Sequence, residues 1–226
     1  MSEQTPDESD RRPITQRGSG WARTIARWLA SAGISPNAIS IFSVVASMGV
    51  GAAYYATTLD TGLDRLLWLA GAFLIFLRLL ANMFDGMVAV EWDKATPVGA
   101  LYNEVPDRIS DAVILIGAGY SAGGGVEFGY IAACLAILVA YVRIMARNAS
   151  APSDFLGPMA KQQRMFVLVA ASVYMAVTPV AWHITWSTNF GWGVMALVLL
   201  IVVIGGVYTV ARRLWAAARF LNNLPE

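Results

Sequence analysis

Charge is what this sequence has least of. Of its 226 residues only 14% are Asp, Glu, Lys or Arg, whereas 57% are hydrophobic and the mean hydropathy is +0.56. A water-soluble domain of this length needs far more charge on its surface, so the composition excludes that class and indicates an integral membrane protein. Cysteine is nearly absent too. Cys134 stands alone in an apolar run, which rules out a disulfide framework. The single histidine, His183, lies between Trp182 and Trp186 and reads as a membrane-interface residue rather than a metal ligand. The net charge is +1, and no basic tract carries interleaved aromatics, so nucleic acid is not an expected partner.

What is present is long apolar runs. Six stretches, near 37–58, 66–90, 99–121, 127–147, 163–182 and 191–214, are long enough for about 20 residues each to cross a bilayer. Ahead of them, residues 1–18 are polar and charged and are expected to form a disordered cytoplasmic tail. Residues 19–33 then form an amphipathic helix in the headgroup region, with Trp21, Ile25, Trp28 and Leu29 on one face. The expected organisation is all-α: the interfacial helix, a six-span membrane domain over 34–218 and a cytoplasmic tail at 219–226. Lys and Arg collect before the first span, after the second and fourth, and at the carboxyl end, while the alternate connections hold only Arg65. Both termini are therefore expected in the cytoplasm.

Against this apolar background, residues 82–111 hold a ladder of polar side chains: Asn82, Asp85, Asn103, Glu104, Asp107 and Asp111. Such groups beside membrane spans are costly and are usually kept for chemistry. Asn82 and Asp85 are three apart, and Asn103, Asp107 and Asp111 are each four apart, so each set lines one helix face. Two facing stripes of oxygen ligands suit hard divalent cations. The loop charges place this ladder, together with Asn37, Arg143, Arg147, Lys161 and Arg164, at the cytoplasmic face. Arg78, inside the second span, must reach the site or pair with an acid, because lipid exposure would be costly. Asn37 reads either as a contact to nucleotide or as the cap of the first span.

The run NMFDGMVAVEWDKATPVGALYNEVPDRISD resembles the signature of the CDP-alcohol phosphotransferases, D-x2-D-G-x2-A-R, eight or nine residues, then G-x3-D-x3-D. Asp85, Gly86, Ala89, Gly99 and Asp107 match, and eight residues separate Val90 from Gly99. Ser35-Pro36-Asn37 is similar to the family's opening T/S-P-N. The resemblance implies a transferase of phospholipid biosynthesis in the bacterial inner membrane, its active site facing the cytoplasm. It would move a phosphatidyl group from a CDP-alcohol, CDP-diacylglycerol first among them, to an acceptor alcohol and release CMP. A phosphorylated polyol such as glycerol phosphate or inositol phosphate is the expected acceptor. Two Mg2+ or Mn2+ ions, membrane lipids and a homodimer partner are also implied.

Residue roles follow from the same resemblance. Asp107 is the expected general base, and Asn82, Asp85, Asn103 and Asp107 the expected metal positions. Asn37, Asn82, Gly86, Ala89 and Gly99 would contact the nucleotide, and Arg143, Arg147, Lys161 and Arg164 the acceptor. The chain departs from the signature at three places, since Asn82 and Asn103 replace aspartates and Val90 replaces the arginine. An amide oxygen ligates magnesium without neutralising it. Glu104 and Asp111, on the Asp107 face, are the expected replacements for the missing carboxylates, unless Arg108 diverts one of them. Two other functions compete. A family member that has lost catalysis would bind nucleotide lipid without turnover, and a cation transporter would need polar groups through the whole membrane depth.

Overall fold

The computed structural model describes residues 19–91, 98–151 and 157–223. The tail expected at 1–18 lies outside the described residues. Among the described residues, seven α-helices account for most of the chain: α1 (Gly20–Ser31), α2 (Pro36–Ala56), α3 (Asp64–Glu91), α4 (Gly99–Gly119), α5 (Val126–Asn148), α6 (Lys161–Val177) and α7 (Val194–Asn222). Four of these, α2, α3, α5 and α7, are long and apolar enough to cross a membrane. The acids in the first half of α4 and the 17-residue length of α6 set those two apart. Helix α7 runs to Asn222, so helix occupies the start of the segment expected as a tail.

Helix α1 docks through a stripe of small residues. Ala22, Ala26 and Ala30, four apart, are buried against Ala81, Phe84, Met87 and Val88 of α3. That leaves Trp21, Ile25 and Trp28 on the outside, whereas Leu29, expected on the same face, packs against this α1–α3 cluster. Helix α2 starts at a Ser-Pro pair. Pro36 occupies the first turn, where its missing N–H is no loss, and the Ser35 hydroxyl accepts the Ala38 N–H at 3.2 Å. Ser35 is therefore the cap, and Asn37 is left for another role.

Small residues bring the inner helices close, as expected where apolar packing must work without a hydrophobic drive from lipid. A Cβ added at Gly117 of α4 would stand 2.6 Å from the Gly51 Cα of α2. The main core gathers Val50, Tyr54, Trp68, Ile75, Ile114, Leu115, Leu168 and Leu199, and the Tyr54 hydroxyl meets that of Ser172 at 2.7 Å.

At the end opposite the polar ladder, the Gly123–Gly125 segment turns tightly, and the Gly123 carbonyl accepts the N–H groups of Gly193 and Ala196. The expected fifth span runs to residue 182, but α6 stops at Val177. Pro179 disfavours helix at the residue before it, and a 3-10 turn (Val180–Trp182) and a short antiparallel pair, β1 (Thr185–Ser187) with β2 (Trp192–Gly193), follow. Phe128, Trp186, Phe190 and Trp192 stack around this hairpin. Because the helices alternate in direction, the last third of α3, the first halves of α2, α4 and α6 and the end of α5 share the other end of the bundle.

Candidate active site

The two polar stripes meet at their amides, with Asn82 Nδ2 3.5 Å from Asn103 Oδ1. One turn further along α3, Asp85 is 4% exposed. Its Oδ2 accepts the Ser40 hydroxyl of α2 at 2.8 Å and its Oδ1 accepts the Gly86 N–H at 2.6 Å. On α4, Asp107 Oδ1 accepts Arg78 Nη2 at 3.2 Å, and its Oδ2 accepts Lys161 Nζ at 2.5 Å. The same ammonium donates to Asn82 Oδ1, also at 2.5 Å. Lys161, the first residue of α6, thus joins the two signature helices.

A second layer lies beneath. Asp111 is 1% exposed, and its carboxylate is held from both sides by Arg78 Nη2 and Arg164 Nη2, each at 2.7 Å. Arg164 also donates to the Met159 carbonyl at 2.7 Å. Charges removed from water persist when they are paired and hydrogen-bonded in this way. Arg78 therefore spans Asp107 and Asp111, as the cost of a lipid-exposed arginine demanded. Pro106, which lacks an N–H, sits inside α4 beside Asp107 and leaves the Tyr102 carbonyl without its usual helical donor.

Glu104 is engaged elsewhere. Its Oε2 accepts Arg108 Nη2 at 2.9 Å and its Oε1 accepts Arg143 Nη2 at 2.6 Å, on a side chain 37% exposed. Glu104 and Asp111 were the expected replacements for the lost carboxylates. Both side chains face arginines instead. Among the described residues, no three Asp, Glu, His or Cys side chains converge as a metal centre. The donors present do not fit a pair of divalent ions. Two of the four signature positions are neutral amides, and the Asp107 carboxylate is spanned by Arg78 and Lys161.

The basic residues expected to receive the acceptor separate into two groups. Lys161 and Arg164 are spent on the inner acids, whereas Arg143 and Arg147 stand at the end of α5, Arg143 against Glu104. Of the nucleotide candidates, Asn37 is half-buried on the first turn of α2, Gly86 and Ala89 lie on α3, and Gly99 opens α4. Residues 92–97, within the signature interval, lie outside the described residues, as does the Val90 side chain. Ser40 escaped sequence reasoning. Its signal was its place one turn after Asn37, on the face that α2 turns toward Asp85.

The family profile of the CDP-alcohol phosphatidyltransferases matches residues 33–210. The chain belongs to this family. Inner membrane protein YnbA of Escherichia coli K12 is 24% identical over 173 residues, which cover 76% of this chain and 82% of YnbA. Archaetidylinositol phosphate synthase of Pyrococcus horikoshii is 27% identical over 155 residues, covering 68% and 77% of the two chains. Among solved structures, the phosphatidylinositol phosphate synthase of Mycobacterium tuberculosis with CDP-DAG bound has the same fold. Its TM-score is 0.69 at 20% identity, over 88% of this chain and 94% of that one. The same enzyme in complex with manganese and citrate gives a TM-score of 0.68, over 87% and 88%. This CDP-alcohol phosphatidyltransferase thus carries its family's glycine and acid spacing across the α3–α4 crossing, with amides at two of the acid positions.

Proposed function

We propose that this chain transfers a phosphatidyl group from CDP-diacylglycerol to the hydroxyl of a phosphorylated polyol and releases CMP. The observation that carries the reading is the convergence at one end of the bundle of the two signature stripes and the basic residues of α5 and α6. Support for the donor comes from the M. tuberculosis relative solved with CDP-DAG. Support for the acceptor class comes from relatives named archaetidylinositol phosphate synthase and phosphatidylinositol phosphate synthase.

In this reading α2 to α7 all cross the membrane, both termini are cytoplasmic, and the site opens to the cytoplasm of a bacterial inner membrane. The acceptor oxygen attacks the phosphorus that bears the diacylglycerol, and the bond from that phosphorus to the CMP oxygen breaks. Asp107 takes the proton of the attacking hydroxyl. Lys161 and Arg78, fixed beside Asp107, face the negative charge that builds on the leaving CMP, and such preorganised cations need no rearrangement as it develops. Asn37, Gly86, Ala89 and Gly99 line the nucleotide's approach. Arg143 and Arg147 receive the acceptor's phosphate, a role that suits guanidinium forks.

The amides at 82 and 103 favour one other reading, a member that binds CDP-lipid without turning it over. Purified protein incubated with CDP-diacylglycerol and a set of labelled polyol phosphates separates the two. Release of CMP with formation of a labelled lipid supports transfer. Tight CDP binding without CMP release in any mixture supports the binding role. A transporter is disfavoured because the carboxylates of the ladder gather toward one end of the bundle.

A further inference from the structure

The position of Lys161 calls for an explanation that acceptor binding does not give. Its ammonium lies between Asn82 Oδ1 of α3 and Asp107 Oδ2 of α4, 2.5 Å from each, on a side chain only 12% exposed. A group that bridges one oxygen from each signature stripe stands where a cation shared by the two stripes would stand. Its ligands are an amide and a carboxylate that already accepts from Arg78.

The charges around it match this placement. Asp85, Asp107 and Asp111 are matched in number by Lys161, Arg78 and Arg164, all of them largely withdrawn from water, and Arg108, which Glu104 holds at the rim, comes within 3.7 Å of Asp107. With aspartates at 82 and 103 the same cluster would hold two uncompensated negative charges, and a lysine alone would not neutralise them. With asparagines, one ammonium is sufficient. The two amides and the lysine therefore form a matched set, since an amide oxygen can hold a cation but adds no charge to offset.

We propose that Lys161 is a tethered cation that takes the place of a divalent ion between α3 and α4, and that Asn82 and Asn103 are the other half of this exchange. The proposal rests on the transferase reading for its purpose: the pyrophosphate of the CDP donor meets a positive charge tethered to the chain instead of one recruited from solution. A lysine supplies a compact point charge suited to that role.

Two measurements on the purified full-length chain test it. The first counts Mn2+ bound per chain, without nucleotide, from the paramagnetic resonance signal of free Mn2+. The N82D/N103D/K161M variant is expected to bind one more ion than the wild type, and equal counts overturn the proposal. The second needs only wild type and K161M, and follows CDP binding in EDTA. Wild-type affinity is expected to stay within about threefold of its value in Mn2+, and K161M to lose roughly tenfold or more in EDTA. Loss of wild-type binding in EDTA, or an unaffected K161M, overturns the proposal. Failure of either protein to bind CDP under all conditions counts against the transferase reading, and the Mn2+ counts then decide the role of Lys161 on their own.

Discussion

Arg78 Nη2 and Asp111 Oδ1 lie 2.7 Å apart at a depth where the arginine has no exposed surface and the aspartate is 1% exposed. Arg164 holds the other carboxylate oxygen at the same distance, and Arg78 continues to Asp107. Three helices are thereby joined by one buried network, in which a single acid is hydrogen-bonded to two guanidiniums and Asp107 shares one of them. Asp111 is a positioning residue in this scheme, because it reaches the reacting groups only through Arg78.

Removing its charge strands Arg164 and leaves Arg78 with Asp107 alone. Asp111→Asn is expected to destabilise the protein by about 3–5 kcal/mol, the usual cost of breaking a buried pair from one side. Thermal unfolding in detergent measures this. Replacing the whole network by apolar residues, as in R78M/D111L/R164M, is expected to restore part of the lost stability. A melting temperature unchanged by Asp111→Asn would show that the network carries no such load.

Asp107 differs from Asp111 in its neighbours. It lies beside Lys161 and Asn82, at the point where the two stripes meet. Asp107→Asn is expected to lower the rate of CMP release by about 10²–10⁴, the range for loss of a general base. CDP affinity should change far less, because Lys161 and Arg78 remain. Equal losses in binding and rate would move Asp107 from proton transfer to nucleotide binding.

The family and the meeting of its two stripes were legible because they rest on local periodicity, which fixes the face each polar residue takes on a helix. The polar partners were less legible. Arg78 declared itself by its cost in lipid, but which acid it would choose depended on how α3 crosses α4. Glu104 and Asp111 share a helix face with Asp107, yet they end among arginines: Arg108, four residues on from Glu104, was readable on α4 itself, whereas Arg78, Arg143 and Arg164 come from α3, α5 and α6. Sequence spacing describes one helix at a time, and the last three of these arginines arrive from others. The end of α6 went unread for a simpler reason, since Pro179 outweighed the hydrophobic run in which it sits.

Glu104 offers a test of acceptor binding. Its carboxylate is partly exposed and holds Arg143 at 2.6 Å. A pair of this kind contributes little to stability, so Glu104→Gln should shift it by no more than about 1 kcal/mol. Without that carboxylate Arg143 loses one competitor for an incoming phosphate. The KM for an anionic acceptor is expected to fall in Glu104→Gln and to rise in Arg143→Met, with kcat little changed in either. Initial rates over a range of acceptor concentrations check the two signs. Movement of both variants in the same direction would remove Arg143 from the acceptor site.

Ser40 of α2 meets Asp85 of α3, and the place of α2 in the bundle depends in turn on its crossing of α4 through two glycines. A Cβ at Gly117 would lie 2.6 Å from the Gly51 Cα, a contact between backbones that no change of rotamer relieves. Gly117→Leu is expected to push the helices apart and to cost at least about 1–3 kcal/mol, as overpacking does. Activity should fall with stability, because the displacement carries Ser40 away from Asp85. Gly20→Ala is the control. Nothing lies within 4 Å of a Cβ placed at Gly20, on the first turn of α1, so its effect should stay within about 0.5 kcal/mol. Thermal melts and CMP release measured on both variants decide the matter: a stable, active Gly117→Leu protein would mean that α2 and α4 do not meet through these glycines.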